Sequence, residues 1–252
     1  SKQTEAMMEK KCSEKKKPLV SIITVVYNDA EHIENTLQSI ISQDYEEKEI
    51  IVIDGQSTDG TTEKVRAFGE SISCLVSEPD KGVYDAMNKG IDQARGEWII
   101  FMNSGDSFYT TDVLSQFFSK EISDDYNILY GKTNRIYKDH AEITHYRATN
   151  SKEIMPECHQ SIFFRRAVLL QNKYDLRFKI CADANQFNQL KKQGNKSLFF
   201  PIVVSNYDCA EGISSTNTKQ KFIELSQIRF NSFLLGRLHG HLRYIYFLLR
   251  KG

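Results

Sequence analysis

Apolar residues along the first hundred positions follow two alternating rhythms. Short runs rich in β-branched residues, at 19–26, 49–53, 73–77 and 98–102, read as buried strands. Between them the spacing changes to three and four. Ile33, Leu37, Ile40 and Ile41 form one stripe, Val65 and Phe68 a second, and Val83, Met87, Ile91 and Ala94 a third. Asn28 and Asp29 offer an N-cap to the first helix, and the turn at 56–61 caps the next. Strand and helix alternating with short links predict a parallel sheet with helices on both faces. Polar residues gather where the strands end: Tyr27 and Asn28, Asp54, Asp80 and Lys81, and residues 103–106. Open α/β sheets bind ligands at the carboxyl ends of their strands, so these four loops are expected to line one crevice.

Beyond about residue 112 the rhythm changes. Residues 128–137 and 143–148 alternate like hairpin strands, 161–165 reads as another strand, and 182–192 as a helix. The run 198–205 is strand-like but holds Pro201, which argues for an edge or a bulge. The stretch 219–252 is helical and carries seven Lys and Arg against Glu224 alone.

Composition narrows the classes. The chain has 252 residues, 40% hydrophobic and 26% charged, with a net charge of zero, so it can bury an ordinary core and gives no reason to expect nucleic acid. Its five cysteines are odd in number and widely spaced, which argues against a disulfide framework or structural zinc and for a reducing compartment. Residues 1–17 hold six lysines and three glutamates and no apolar stretch, the pattern of a disordered basic tail rather than a secretory signal. No apolar run reaches the roughly 18 residues of a membrane span, so a cytoplasmic location is expected.

The nucleotide chemistry is first narrowed by exclusion. The link at 26–29 has no glycine, so neither a Gly-x-Gly-x-x-Gly turn nor a P-loop is present to cradle phosphate. Acidic strand ends suggest a bridging divalent cation instead. The segments SIITVVYN (21–28), IDGQSTDGT (53–61) and FMNSGD (101–106) resemble the family 2 glycosyltransferases of GT-A fold. SEPDKGVYDAMNKG (77–90) is similar above all to bacterial members that assemble polysaccharides. The resemblance is strong over 18–118 and weaker around 158–165, 182–190 and 212–215. It implies a Rossmann-like open mixed α/β sheet, mostly parallel, flanked by helices and followed by a C-terminal helical extension. The expected divisions are the tail 1–17, a nucleotide-sugar-binding half 18–118, an acceptor-binding half 119–217, and an amphipathic helical segment 218–252.

The resemblance also implies roles. Asp54 contacts the nucleobase, where a carboxylate can accept the ring N–H of uracil; the competing role is to cap its own turn. Thr24, Tyr27, Asn28 and Ser57 line base and ribose. Asp80 and Lys81 open a helix whose N–H groups can hold phosphate oxygens, and Lys81 can equally be a solvated side chain. Asp85 and Asn88, at i and i+3, share one helix face, turned either to the crevice or to solvent. Asn103 and Ser104 complete the donor site. Asp106 is the metal ligand of a motif that commonly has two acids; Gly105 stands where the first often lies. One carboxylate suffices for Mg²⁺ or Mn²⁺ if diphosphate oxygens and water supply the rest. Asp183 is the base that takes the acceptor proton, with an N-cap as its alternative role. His159 and Gln160 line the acceptor site, and residues 212–215 form a loop over the diphosphate. The basic amphipathic C-terminal segment suits an anionic membrane surface, packing on the domain, or a homodimer interface.

Together these residues point to an inverting transfer from a nucleotide-diphosphate sugar, with UDP as the expected carrier, to a saccharide or lipid-linked saccharide hydroxyl. A catalytically silent nucleotide-sugar-binding protein is one rival. A nucleotidyltransferase is another, although it would need a glycine-rich basic loop after the first strand.

Overall fold

The computed structural model describes residues 20–119, 121–145, 155–209 and 217–251. The tail 1–17, the loop 212–215 and the end of the expected strand 143–148 lie outside them.

The first half follows the expected alternation. Strands β1 (Val20–Val26), β2 (Lys48–Asp54), β3 (Cys74–Ser77) and β4 (Trp98–Phe101) pair in parallel in the order β3-β2-β1-β4. Helices α1 (Ile33–Ile41), α2 (Thr61–Arg66) and α3 (Val83–Gln93) connect them. β1 is central and buried along its length. Successive side chains of a strand point to opposite faces, so Ile23 and Val25 enter one core while Val20, Ile22 and Val26 enter the other. Met87 and Ile91 of α3 cover the first face, and Ile33, Leu37 and Ile40 of α1 the second. α1 starts later than Asn28 and Asp29 suggest, and His32 at its N-cap makes no side-chain capping bond.

The second half continues the sheet in mixed fashion. After β5 (Ser107–Phe108) and α4 (Val113–Phe118), the strand β6 (Tyr126–Ile136) forms a hairpin with β7 (Ala141–Ile143), which ends at the residue where the expected strand 143–148 begins. β8 (Ile162–Arg165) runs antiparallel between β4 and β6. Helices α5 (Arg166–Gln171) and α6 (Ala182–Lys192) follow, the second within its expected bounds. β9 (Lys196–Asp208) lies between β6 and β5, so it is not an edge. Pro201 falls where the register jumps from Tyr130↔Phe199 to Lys132↔Val203, which is a bulge.

The basic C-terminal stretch is two helices, α7 (Thr218–Phe230) and α8 (Phe233–Lys251), separated at Asn231 in left-handed backbone conformation. They pack antiparallel: a Cβ at Gly236 would meet Gln227 Cα at 2.2 Å, and one at Gly240 would meet Ile223 Cα at 2.4 Å. Backbones approach this closely only where side chains are missing. Phe233 fixes the start of α8 against Phe178 and beneath the Arg177 guanidinium.

Candidate active site

The loops after β1 and β2 are stitched together at the sheet's carboxyl edge. Asn28 N donates to Ser57 Oγ (2.8 Å), Asn28 Oδ1 accepts from Thr58 N (2.8 Å), and Ala30 N donates to Asp59 (3.0 Å). Tyr27 projects above this seam, 66% exposed. Beside it Gly55 leaves room for a third loop: a Cβ there would lie 2.6 Å from Asp80 Oδ2 and 3.1 Å from the Tyr27 ring. An aromatic face and a carboxylate are thus side by side at the rim.

Asp54 sits within the hydrogen-bond network of its own loop. It is fully buried, and its oxygens accept from Ser57 Oγ (2.5 Å), Ser77 Oγ (2.6 Å), Thr62 Oγ1 (2.7 Å) and Ser57 N (3.1 Å). Burial works to raise its pKa, but the bonds from Ser57, Ser77 and Thr62 outweigh it and hold the carboxyl below its usual range. Its lone pairs are spent on the loop, so the turn-capping role is the one observed. Thr24 and Asn88 are likewise placed within the fold. Thr24 is wholly buried inside β1. The Asn88 amide both donates to and accepts from the Tyr174 backbone (2.9 and 2.8 Å), so it ties α3 to residue 174 rather than facing a ligand.

Asp80 and Asp85 shape the loop before α3: Asp80 accepts from Gly82 N (2.8 Å) and Asp85 from Lys81 N (2.9 Å). The Lys81 side chain is exposed. In the first turn of α3, Tyr84 reaches across the crevice, its hydroxyl 2.7 Å from the Ile180 carbonyl and 3.1 Å from Asp183 Oδ1.

Asp183 opens α6 and is the most connected acid of the second half. Ala184 N donates to Oδ1 (2.8 Å), and Oδ2 lies 3.1 Å from His159 Nδ1. His159 Nε2 is in turn 3.2 Å from Asn103 Nδ2. An ionised carboxylate can only accept, so His159 Nδ1 carries a proton towards Asp183. The result is a chain from Asn103 through His159 to Asp183. Burial pushes the Asp183 pKa up, but His159, Ala184 N–H and Tyr84 together pull it below the usual range, keeping an ionised carboxylate whose side chain is 21% exposed.

Asp106 lies deeper. Its Oδ2 accepts from Gln160 Nε2 (2.8 Å), and burial pushes its pKa up to about 7 against the opposing pull of Gln160 and His159. Gly105 beside it has φ +94°, a left-handed turn that a side chain would strain, which accounts for the missing first acid. Ser104 Oγ donates to Asp29 (2.6 Å) and binds this turn to the β1 loop. Among the described residues no group of three His, Cys, Asp or Glu could hold a metal by itself. However, Asn103 Oδ1 and Gln160 Oε1 are buried and without hydrogen-bond partners. Gln160 Oε1 belongs to the amide bonded to the Asp106 carboxylate, and with Asn103 Oδ1 these are hard oxygen donors of the kind a small divalent cation takes when ligand oxygens complete its shell.

Two contributors escaped the sequence reading. Tyr84 sits inside the 77–90 motif, beside Asp85, so a positional signal existed. Glu224 of α7, 1% exposed, accepts from the backbone N–H groups of Lys179 (2.8 Å), Ile180 (2.9 Å) and Cys181 (2.8 Å), directly before Asp183. Its signal was being the one acid in a basic segment. The nearby thiols are inert: burial pushes Cys158 up to about 12 and raises Cys181 as well.

A mixed sheet with nucleotide-type loops on its parallel half and an acid–histidine pair on the other defines a GT-A glycosyltransferase scaffold. Residues 21–184 match the family described as Glycosyl transferase family 2, and this chain belongs to it. A PGL/p-HBAD biosynthesis glycosyltransferase of Mycobacterium bovis is 31% identical over 222 residues, covering 82% of this chain and 83% of the relative. A putative teichuronic acid biosynthesis glycosyltransferase, TuaG, of Bacillus subtilis is 36% identical over 95 residues, 36% of this chain and 38% of the relative. The fold matches S. aureus TarS 1–349 in complex with UDP at TM-score 0.66 and 20% identity, over 88% of this chain and 68% of that one. It also matches the mannosyltransferase PcManGT from Pyrobaculum calidifontis, solved with GDP-Man and Mn²⁺, at TM-score 0.66 and 20% identity, over 85% and 64%.

Proposed function

We propose that this chain is an inverting glycosyltransferase that uses a UDP-sugar and glycosylates a hydroxyl of a saccharide or lipid-linked saccharide in bacterial surface-polysaccharide assembly, on the cytoplasmic side. The observation that carries the reading is Asp183: an ionised, partly exposed carboxylate held in one orientation by His159, Tyr84 and Ala184 N–H. The acceptor oxygen bonds to the anomeric carbon as its proton passes to Asp183, and the bond from that carbon to the diphosphate oxygen breaks. The Tyr27 ring offers a stacking face for the base, and the Asp80 carboxylate beside it can accept a ring N–H. Lys81 and the N-terminus of α3 suit the diphosphate. Asp106, with the open amide oxygens of Asn103 and Gln160, would hold Mg²⁺ or Mn²⁺, an ion that neutralises charge on the departing diphosphate. The UDP and the GDP-Man with Mn²⁺ named for TarS and PcManGT support a donor of this chemistry.

The test is donor turnover and thermal shift with UDP, with and without Mn²⁺. Asp183→Asn is expected to lower turnover at least about 100-fold while leaving the metal-enhanced UDP shift in place. Unchanged turnover in that variant would favour a silent binding protein. A wild-type chain that no nucleoside diphosphate stabilises would sink the donor assignment itself.

A further inference from the structure

The α7–α8 pair has one face that the fold leaves uncovered. α8 turns Gly236 and Gly240 towards α7, where backbones touch. At 100° per residue the side opposite those glycines carries Leu234, Leu238, Leu242, Ile245 and Leu249, and all five are exposed, Leu234 to 80% and Leu249 to 77%. Packing against the domain is already accomplished by the glycine face and by Phe233, so this stripe is not a core surface. It runs along a helix of 19 residues, about 28 Å at 1.5 Å per residue. Among the described residues no helix is long and apolar enough to cross a membrane.

Charge indicates what covers the stripe. Along its border Lys219, Arg237 and His241 line an open groove of about 720 Å³ between the two helices. Residues 218–252 contain seven Lys and Arg and a single acid, Glu224, which is buried and engaged with residues 179–181. A second copy laid symmetrically on this face would bring the Lys219–Arg237–His241 border against its own copy, with no free carboxylate in residues 218–252 to pair it. We infer that α8 lies flat on an anionic bilayer. The leucine stripe enters the acyl boundary and the Lys219–Arg237–His241 groove receives lipid phosphates. Glu224 places this contact one helix away from Asp183, so a membrane-borne acceptor would be met beside the base.

Cosedimentation of the full chain with vesicles tests the inference without any turnover readout, so its failure leaves the donor reading untouched. Vesicles of phosphatidylcholine with 30% phosphatidylglycerol (about that fraction, within the range where surface potential is strong) are compared with phosphatidylcholine alone. Binding is expected to the anionic vesicles and to fall with salt. Leu238→Glu/Leu242→Glu should weaken it about tenfold or more. Lys219→Gln/Arg237→Gln, surface changes that leave the stripe and the fold intact, should weaken it about 30-fold, at roughly fivefold per charge. Equal partition onto neutral and anionic vesicles, or none onto either, overturns the inference. So does a dimer in light scattering that Leu238→Glu/Leu242→Glu dissociates, because the stripe would then be occupied by a second copy.

Discussion

Glu49 is 3% exposed at the start of β2, where Ser21 Oγ (2.6 Å), Arg95 N (2.6 Å), Arg95 Nε (2.9 Å) and Gly96 N (3.1 Å) all donate to it. Burial alone would raise its pKa, but these donors win and hold it below the usual carboxylate range. A carboxyl depressed in the folded state adds stability above its unfolded pKa, near 4.3, and that contribution is lost as pH falls through the folded value. Glu49→Gln should therefore cost about 1–3 kcal/mol at pH 7. The gap to wild type in denaturant midpoint should narrow as pH falls through the carboxylate range; a gap independent of pH would mean that shape, not charge, is at work. The role of Glu49 was not legible in the sequence, and for Asp54 only the turn within its own loop was. Asp54 is saturated partly by Ser77, 23 residues away, and Glu49 by Gly96, 47 away. Spacing along a chain identifies an acid at a strand end; which donors the fold delivers to it depends on contacts that no local pattern encodes.

Elements were most legible where one rhythm persisted. The parallel half is buried on both faces and connected by amphipathic helices, so the apolar runs and the 3.6-residue stripes mark its strands and helices with little ambiguity. The helix at 182–192 was equally clear. The break between α7 and α8 was not: Asn231 takes φ +50° without a glycine or proline to announce it, so the stretch reads as one helix. Gly236 and Gly240 are the compensating clue, because glycine inside a helix costs about 1 kcal/mol against alanine and so needs a packing reason. Here the two effects oppose each other. Helix propensity predicts that Gly236→Ala or Gly240→Ala stabilises by about 1 kcal/mol. A Cβ at 2.2–2.4 Å from the backbone of α7 predicts overpacking of about 1–3 kcal/mol or more. The contact should win, because the atoms met are main chain and cannot swing aside, and the thermal midpoint should fall by several degrees. A rise would show that α8 can slide away from α7 at little cost.

At the scale of the whole molecule, the two halves divide the labour. The rim proposed for the nucleotide is built from the loops after β1, β2 and β3, with Tyr27, Asn28, Gly55, Ser57 and Asp80 in mutual reach. The acid–histidine chain is built from β8's lead-in, α6 and α7, and Asn103, Tyr84 and the Phe101 ring meet it from the first half. The family's motifs are concentrated in the first half, so the gathering of these loops at one sheet edge was legible. The clamp of Glu224 on residues 179–181 joins segments 43 to 45 residues apart and was not. This arrangement makes affinity and turnover separable. Tyr27→Ala should weaken UDP binding by about 1–3 kcal/mol, roughly five- to 150-fold, through loss of the stacking face. Glu224→Gln replaces three charge-assisted backbone bonds with a neutral amide that presents one acceptor and two unwanted donors. It should loosen residues 179–181 and misplace Asp183, lowering kcat about 10- to 100-fold while calorimetry gives a UDP Kd within about twofold of wild type. If Glu224→Gln instead weakened UDP binding as much as it slowed turnover, α7 would be supporting the crevice as a whole. The clamp on residues 179–181 would then not be specific to the base.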